Sequence, residues 1–326
     1  MNKKNHNPLV SIVILNWNGK EHLQECIDSV IKSLYSPLEI ILADNGSTDD
    51  SIEFVKSQFP AVIILENKEN LGYAEGNNRG IGIAHGKYVV TLNNDVVVDP
   101  NWLDKPIEYL ENDPQIGSIS CRQMNYYNKD MIDSLFHYPA PELIFRRLGY
   151  KKTFNLHSPF GSPGYVIAPN GGSAIYRKTM FNQLEGFDSK FFAYLDESDL
   201  CMRAFLNGWK CLYVPQSVVY HKDSASFKKR GKIAHYFFER NRIWFIYKYF
   251  PWPSIFSHLH WIIFQEMISI GLHFLKKNGR LNYFKARIHG ILGIWRYSSI
   301  RKLYVTRFQN YKIEYIMFQK KKLIPL

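Results

Sequence analysis

The sequence predicts an α/β protein with a mostly parallel central sheet flanked by helices and a basic, mainly helical C-terminal region. Three observations lead there. Apolar runs rich in β-branched residues alternate with helical periodicities four times in the first hundred residues. Three of those runs stop at clusters of Asn and Asp. The charge is divided: residues 222–326 carry 21 Lys and Arg against 4 Asp and Glu, whereas residues 1–221 carry 20 against 25.

The first strand is Val10–Leu15, followed by the turn Asn16-Trp-Asn-Gly19. Leu23, Cys26, Ile27, Val30, Ile31 and Leu34 then share one helical face, which Pro37 ends. Leu38–Ala43 is the second strand. The polar run Asp44–Ser51 after it doubles as a helix start, with Ser47 or Thr48 as cap. Ala61–Leu65 is a third, short strand. Asn70–Ile81 reads as a glycine-rich loop leading into a helix that stops by Gly86. Tyr88–Leu92, uncharged and β-branched, is a strand buried on both faces, and Asn93-Asn-Asp95 arrives where it ends.

Beyond it, Trp102–Leu110 reads as helix and Ile116–Cys121 as strand, and 123–165 has no clear period, as expected of an ordered excursion or mobile loop. Asn170–Lys178 is a turn into a strand. A helix opens with Asp196, Glu197 and Asp199, pairs Asp199 with Arg203, and closes at Gly208. Lys210–Val214 is a strand, and Val218–His221 leads into a polar run. The expected division is a catalytic domain over 1–227, with a nucleotide-binding half at about 9–100 and an acceptor half at about 101–227, and a C-terminal region over 228–326.

Cys26, Cys121, Cys201 and Cys211 form no Cys-x-x-Cys pair, so neither a zinc ribbon nor a redox motif is indicated. The N-terminus carries no signal-peptide apolar run. A cytoplasmic protein with reduced thiols is expected.

Polar clusters at three successive strand ends define one rim of one sheet, where open α/β sheets bind nucleotides. Taken singly, each cluster is as well read as a polar turn. Together with the glycine-rich stretch they resemble the family 2 glycosyltransferases of GT-A fold, most closely their rhamnosyltransferase-like branch. The resemblance covers roughly residues 9–250 and rests on Val10–Gly19, Asp44–Ser51, Asn70–Gly80, Leu92–Val96, Gly186–Phe192 with Asp196–Arg203, and His221. It implies an inverting transfer of a sugar from a nucleotide-diphospho-sugar to a glycan or polyprenyl-linked acceptor. It further implies a role in surface polysaccharide or O-antigen synthesis, with deoxythymidine-diphosphate-rhamnose as the first donor to consider. Asp44 would recognise the base. Asn93 and Asp95 would stand where the family has Asp-x-Asp, and His221 would complete the site of a Mg²⁺ or Mn²⁺.

The chemistry asks for such groups. A cation held by Asp95 offsets the charge that builds on a leaving diphosphate, and one imidazole still suits Mn²⁺. Asn93 lacks a charge, so its expected partner is a ribose or a metal-bound water. Asn16, Asn18, Asn45, Asn94, Gly72 and Asn77 complete the expected donor cradle, with Arg79 as a diphosphate partner and Gly172 beside the donor sugar. The acceptor hydroxyl must lose a proton to a carboxylate. The family order is Glu-Asp; here it is Asp196-Glu197, so position favours Glu197 while Asp196 remains an alternative. Acids at this place also suit a helix N-terminus without any catalytic role.

In the basic region Phe256, Leu259, Ile263, Met267, Ile270 and Phe274 are spaced by three and four, but His and Glu interrupt them too often for a membrane span. An interface-lying or packed amphipathic helix is expected, with an anionic membrane surface rather than nucleic acid as partner. Two other functions compete: a nucleotidyltransferase of similar architecture, against which the lack of a basic residue in Asn16–Gly19 counts, and a non-catalytic membrane-bound scaffold.

Overall fold

The computed structural model describes residues 7–222, 225–274 and 279–310. Within the expected C-terminal region, residues 275–278 and 311–326 lie outside the described residues. The chain opens with β1 (Val10–Asn16), α1 (Lys20–Ile31), β2 (Leu38–Asp44), α2 (Ser51–Gln58), β3 (Ile63–Glu66), α3 (Gly72–Ile83) and β4 (Tyr88–Asn93). These strands lie side by side in the order β3-β2-β1-β4, all parallel. Both faces are covered. Ile12 and Ile14 pack with Leu23, Ile27 and Val30 of α1, while Val13, Ile41 and Ala43 pack with Ala74 and Ile81 of α3. Strands buried on two sides cannot show apolar–polar alternation, and these read instead as continuous apolar runs.

The second half continues with β5 (Val96–Val98), α4 (Asp104–Asn112), β6 (Ile116–Asn125), β7 (Ile132–Ser134), β8 (His137–Pro139), β9 (Phe145–Arg147), β10 (Gly164–Val166), β11 (Ser173–Arg177), α5 (Lys178–Gln183), α6 (Asp196–Leu206) and β12 (Lys210–His221). Here the sheet becomes mixed. β11 inserts antiparallel between β4 and β6, and β12 runs parallel to β6. β5 and β10 pair antiparallel with β12, β7 pairs antiparallel with β6, and β8 and β9 form a separate hairpin.

Four local expectations change. The strand expected to stop at Cys121 runs on to Asn125, because β12 pairs with it as far as His221. The strand expected over Lys210–Val214 continues to His221, with an irregularity between Val214 and Val218; Pro215, which has no N–H to give a ladder, falls in that break. The segment 123–165 contains three-residue strands, too short to show a period. Within this segment Met124, Ile132, Leu135 and Phe136 nevertheless close a core with Tyr213. Finally, α2 begins at Ser51, and its N-cap is Asp50 at φ 56°. Ser47 is drawn away from capping by Asp44, whose carboxylate accepts from the Ser47 N–H (2.8 Å) and hydroxyl (2.6 Å).

The stretch read as a glycine-rich loop is itself helix from Gly72. A Cβ at Gly76 would stand 2.6 Å from a Leu15 methyl, and one at Gly80 2.4 Å from Val13. These glycines let α3 lie close on the sheet, rather than letting backbone approach a ligand.

Among the described residues five α-helices follow: α7 (Ala225–Tyr249), α8 (Trp252–Ser257), α9 (Leu259–Phe274), α10 (Gly279–Leu292) and α11 (Ser298–Asn310). Their aromatic residues Trp244, Phe245, Tyr249 and Phe250 share a core with Leu195, Met202 and Leu206 at α6. A fully buried carboxylate fixes that contact. Asp199 accepts from Arg203 Nε (2.9 Å), Lys248 Nζ (2.6 Å) and the Tyr249 hydroxyl (2.7 Å). Asn241 of α7, also buried, donates to the carbonyls of Phe191 (2.9 Å), Ala193 (2.8 Å) and Tyr194 (2.8 Å), just ahead of α6. There Phe192, Tyr194 and Leu195 take positive φ.

Burial alone would raise the Asp199 pKa, but the charges of Lys248 and Arg203 outweigh it and hold it below the usual range. We expect Asp199→Asn to destabilise the fold by about 3–5 kcal/mol, since it leaves two buried cations short of their counter-charge. A group depressed on folding stabilises fully above its unfolded pKa of about 3.9. The penalty of the variant in denaturant melts should therefore be full at neutral pH and fade as pH falls through the folded value.

Candidate active site

The register of the parallel half sets the rim. Asn16 stands opposite Asp44, and Leu15 opposite Asn93, so the polar ends of β1, β2 and β4 share one edge. They are bonded to one another. Asp44, buried, accepts from Asn16 Nδ2 (2.9 Å) besides Ser47, and Asn94 Nδ2 donates to Asn16 Oδ1 (2.6 Å). Asn18, at φ 50°, accepts from the Thr48 N–H (2.7 Å) and donates its own N–H to Ser47 (2.8 Å). Asn45 donates to the Gly72 carbonyl (2.9 Å) and accepts from Asn67 (3.1 Å), tying the end of β2 to the start of α3. Asp44 thus uses three of the four acceptor positions a carboxylate offers.

Three other expected residues lie elsewhere. Gly72, at φ 79°, is buried against the Phe192 carbonyl. Asn77 is buried and donates back to the Tyr73 carbonyl of its own helix (2.9 Å). Arg79 pairs with Glu75 (3.1 Å) and donates to Asn67 (3.2 Å), the residue following β3. In the strand order β3-β2-β1-β4 this sets Arg79 at the Asp44 end of the rim, roughly three strand spacings or about 14 Å from β4.

At the β4 end the mixed half supplies new groups. Pairing of β12 with β5 places His221 opposite Val96, and the Lys222 N–H donates to the Asp95 carbonyl (3.0 Å). His221 Nε2 then faces Asp95 Oδ1 at 3.4 Å, while Nδ1 faces Asp133 Oδ2 at 2.9 Å. Asp133, buried, is also bonded by Gln123 and by Arg147 (2.8 Å). Burial would lower the His221 pKa, but the hydrogen bonds and charges of Asp133 and Asp95 raise it to about 10.

Asp133 and Gln123 were missed in the sequence. Their only signal there is a charge inside the apolar run Met131–Phe136 and an amide just past an expected strand end. A carboxylate on one imidazole nitrogen fixes the ring so that the other can ligate a metal. Among the described residues no group of three or more His, Cys, Asp or Glu is arranged to hold a metal alone. Two protein ligands, Asp95 and His221, fit a cation that fills its shell with diphosphate oxygens and waters.

The acid pair stands on the other side of two glycines. Asn93 donates its N–H to the Gly172 carbonyl (3.0 Å), and the Tyr73 hydroxyl donates to the Gly171 carbonyl (2.8 Å). A Cβ on Gly171 would lie 1.9 Å from Glu197 Oε1, and one on Gly172 2.5 Å from Gln123 Oε1. Glycine is therefore required at both positions, since the carboxylate and the amide occupy that space. The two acids differ. Asp196 is fully buried and its carboxyl meets that of Glu197, whereas Glu197 is only half-buried. Burial, and then the charge of Glu197, pushes the Asp196 pKa well up; burial raises that of Glu197 as well. The neutral form belongs to Asp196 and the half-buried carboxylate to Glu197.

The family model for glycosyl transferase family 2 matches residues 11–180, just over half of the chain. An uncharacterized glycosyltransferase of Haemophilus influenzae is 35% identical over 115 residues, covering 34% of this chain and 36% of that one. Glycosyltransferase GlyG of Streptococcus pneumoniae is 26% identical over 67% of this chain and 72% of its own length. An N-acetylglucosaminyl-diphospho-decaprenol L-rhamnosyltransferase of Mycobacterium tuberculosis is 25% identical over 67% and 77% respectively. Among solved structures, GalNAc-T7 with UDP, GalNAc and Mn²⁺ superposes with a TM-score of 0.59 at 18% identity, over 75% of this chain and 48% of that one. A mannosyltransferase of Pyrobaculum calidifontis in complex with GDP-Man and Mn²⁺ does so with 0.53 at 16% identity, over 89% and 88%. The nucleotidyltransferase alternative falls away: the chain belongs to glycosyl transferase family 2 and has the GT-A fold.

Proposed function

We propose that the enzyme transfers a sugar, with inversion, from a nucleotide-diphospho-sugar bound along the rim from Asp44 to Asp95. The observation that carries this is the placement of Glu197 and of the Asp95–His221–Asp133 line on either side of Gly171 and Gly172. Such a layout suits a donor whose diphosphate lies toward His221 and whose anomeric carbon faces Glu197. Glu197 takes the proton of the acceptor hydroxyl as its oxygen bonds to the anomeric carbon. The bond from that carbon to the diphosphate oxygen breaks, and the diphosphate leaves with the electron pair. Asp95 and His221 would hold a divalent cation, Mg²⁺ or Mn²⁺, whose charge offsets that of the diphosphate. Asp133 keeps the His221 ring oriented. Asp44, held by Asn16 and Ser47, keeps one acceptor position for a base, with Asn93 beside the ribose. Asp196 stays neutral and lets Glu197 carry the negative charge alone.

A rhamnose donor and a polyprenyl-linked glycan acceptor, within surface polysaccharide synthesis, are supported by the similarity to the mycobacterial N-acetylglucosaminyl-diphospho-decaprenol L-rhamnosyltransferase and, more distantly, to an O-antigen biosynthesis protein of Myxococcus xanthus. Four buried free cysteines suit a reducing, cytoplasmic setting. A division into a catalytic domain over 1–227 and a C-terminal region over 228–326 accords with the change from sheet to helices there.

Two substitutions separate the acids. Glu197→Gln should lower donor turnover by about 10²–10⁴-fold while nucleotide binding survives, and Asp196→Asn should keep most of the turnover; the reverse order, or full activity in both, would overturn the assignment. Asp196→Asn should also act on stability. An acid whose pKa rises on folding costs stability as pH climbs above its unfolded value of about 3.9. The variant should therefore melt higher than wild type at pH 7, and the gap should close near pH 4.

A further inference from the structure

Helix α9 is built inside out. Three of its polar residues face the protein beside Ile262: Gln265 accepts from Arg146 (2.8 Å), Glu266 pairs with Arg287 (2.7 Å) and Arg242, and buried Ser269 bonds Glu239. Four of its large apolar residues face away, with Trp261, Phe264, Met267 and Ile268 between 41 and 66% exposed. Helix α10 packs against α9 and exposes Phe284, Ile288 and Ile291, and α8 exposes Trp252 and Phe256. A helix on a water-facing surface shows the opposite arrangement, and an apolar surface of this extent marks a place where something else binds.

Charge and length narrow what that is. The described residues of α7–α11 include two carboxylates, Glu239 and Glu266, and both are paired with Arg287 and Arg242. Exposed Lys285, Arg296 and Lys302 thus meet no competing acid on these helices. A second copy of the chain would bring the same positive charge to this face, whereas anionic lipid headgroups complement it. Among the described residues no helix is long and apolar enough to cross a membrane. At 16 residues α9 reaches about 24 Å, short of a hydrocarbon core of about 30 Å. Exposed tryptophans suit the headgroup level.

We infer that α8, α9 and α10 seat the enzyme on an anionic lipid bilayer, their apolar side chains entering the headgroup boundary and Lys285 and Arg296 meeting lipid phosphates. The seat stands apart from the donor site and depends on no particular sugar.

The test is sedimentation of the full chain with phosphatidylcholine vesicles, with and without phosphatidylglycerol. Wild type should pellet with the anionic vesicles, and more weakly as salt rises. Phe264→Glu with Met267→Glu should weaken pelleting by about tenfold or more, with its thermal melt and nucleoside diphosphate binding unchanged. Lys285→Glu with Arg296→Glu, exposed cations on α10 and on the 3₁₀ turn after it, should lower binding to anionic vesicles alone. Failure of wild type to pellet, or equal pelleting of the apolar variant, overturns the proposal. So does a wild-type dimer in sedimentation velocity without lipid that the apolar variant dissolves, because the face would then belong to a second copy.

Discussion

The carboxylate of Asp199, buried between Lys248 and Arg203, is the constraint from which the geometry of the acid pair follows. An isolated charge at that depth would be prohibitively costly, so it persists only while α7 supplies its partners. Those partners lock α6 by its first turn, the turn that carries Asp196 and Glu197. Asn241 adds to this by holding the carbonyls of Phe191, Ala193 and Tyr194, in the segment entering α6 where Phe192, Tyr194 and Leu195 take positive φ. Strained backbone of this kind survives where its surroundings over-determine it. The C-terminal helices are therefore part of the machinery that positions the acids, whatever else they contact.

The sheet divides the remaining labour. Its parallel half delivers strand ends at one level and so makes a continuous rim, as open α/β sheets do. Its mixed half closes that rim. β11 arrives antiparallel to β4 with Gly171 and Gly172 at its head, and β12 returns alongside β6 and β5 to place His221 beside Asp95. Removing two Cβ atoms at the head of β11 is what makes room for a carboxylate on one side and Gln123 on the other.

Legibility in the sequence followed the length of the elements. The long buried strands and α1 announced themselves by apolar runs and a 3.6-residue period, and with them came Asp44, Asn93 and Asp95 at strand ends. Glu197 was legible as an acid opening a helix, though adjacency alone left Asp196 beside it. Burial tells the two apart, because Asp196 is fully enclosed and Glu197 is only half-buried. Asp133 and Gln123 were not legible: Gln123 lies among the last β6 residues that pair with β12, far away in the chain, and Asp133 lies on the three-residue β7 that pairs with β6. The segment Gly72–Gly80 misled because glycine spacing looks the same whether it serves a ligand or a tightly packed helix. In α9 the spacing of apolar residues was correctly read as helical, yet it could not say which side faced the protein. That was settled by Arg146, Arg242 and Arg287, which draw Gln265 and Glu266 inward.

The central claim is that Asp95 and His221 form a cation-dependent diphosphate site. Its most direct test is a thermal-shift panel of nucleoside diphosphates with and without Mn²⁺, on wild type and Asp95→Asn. A ligand that binds only the folded state raises stability by about 2.7 kcal/mol at a hundredfold excess over Kd. The account predicts such a rise with one nucleoside diphosphate in the presence of Mn²⁺, lost without Mn²⁺ and lost in Asp95→Asn. An equal shift with and without the metal, unchanged in Asp95→Asn, would contradict it, as would no shift with any diphosphate in a folded protein.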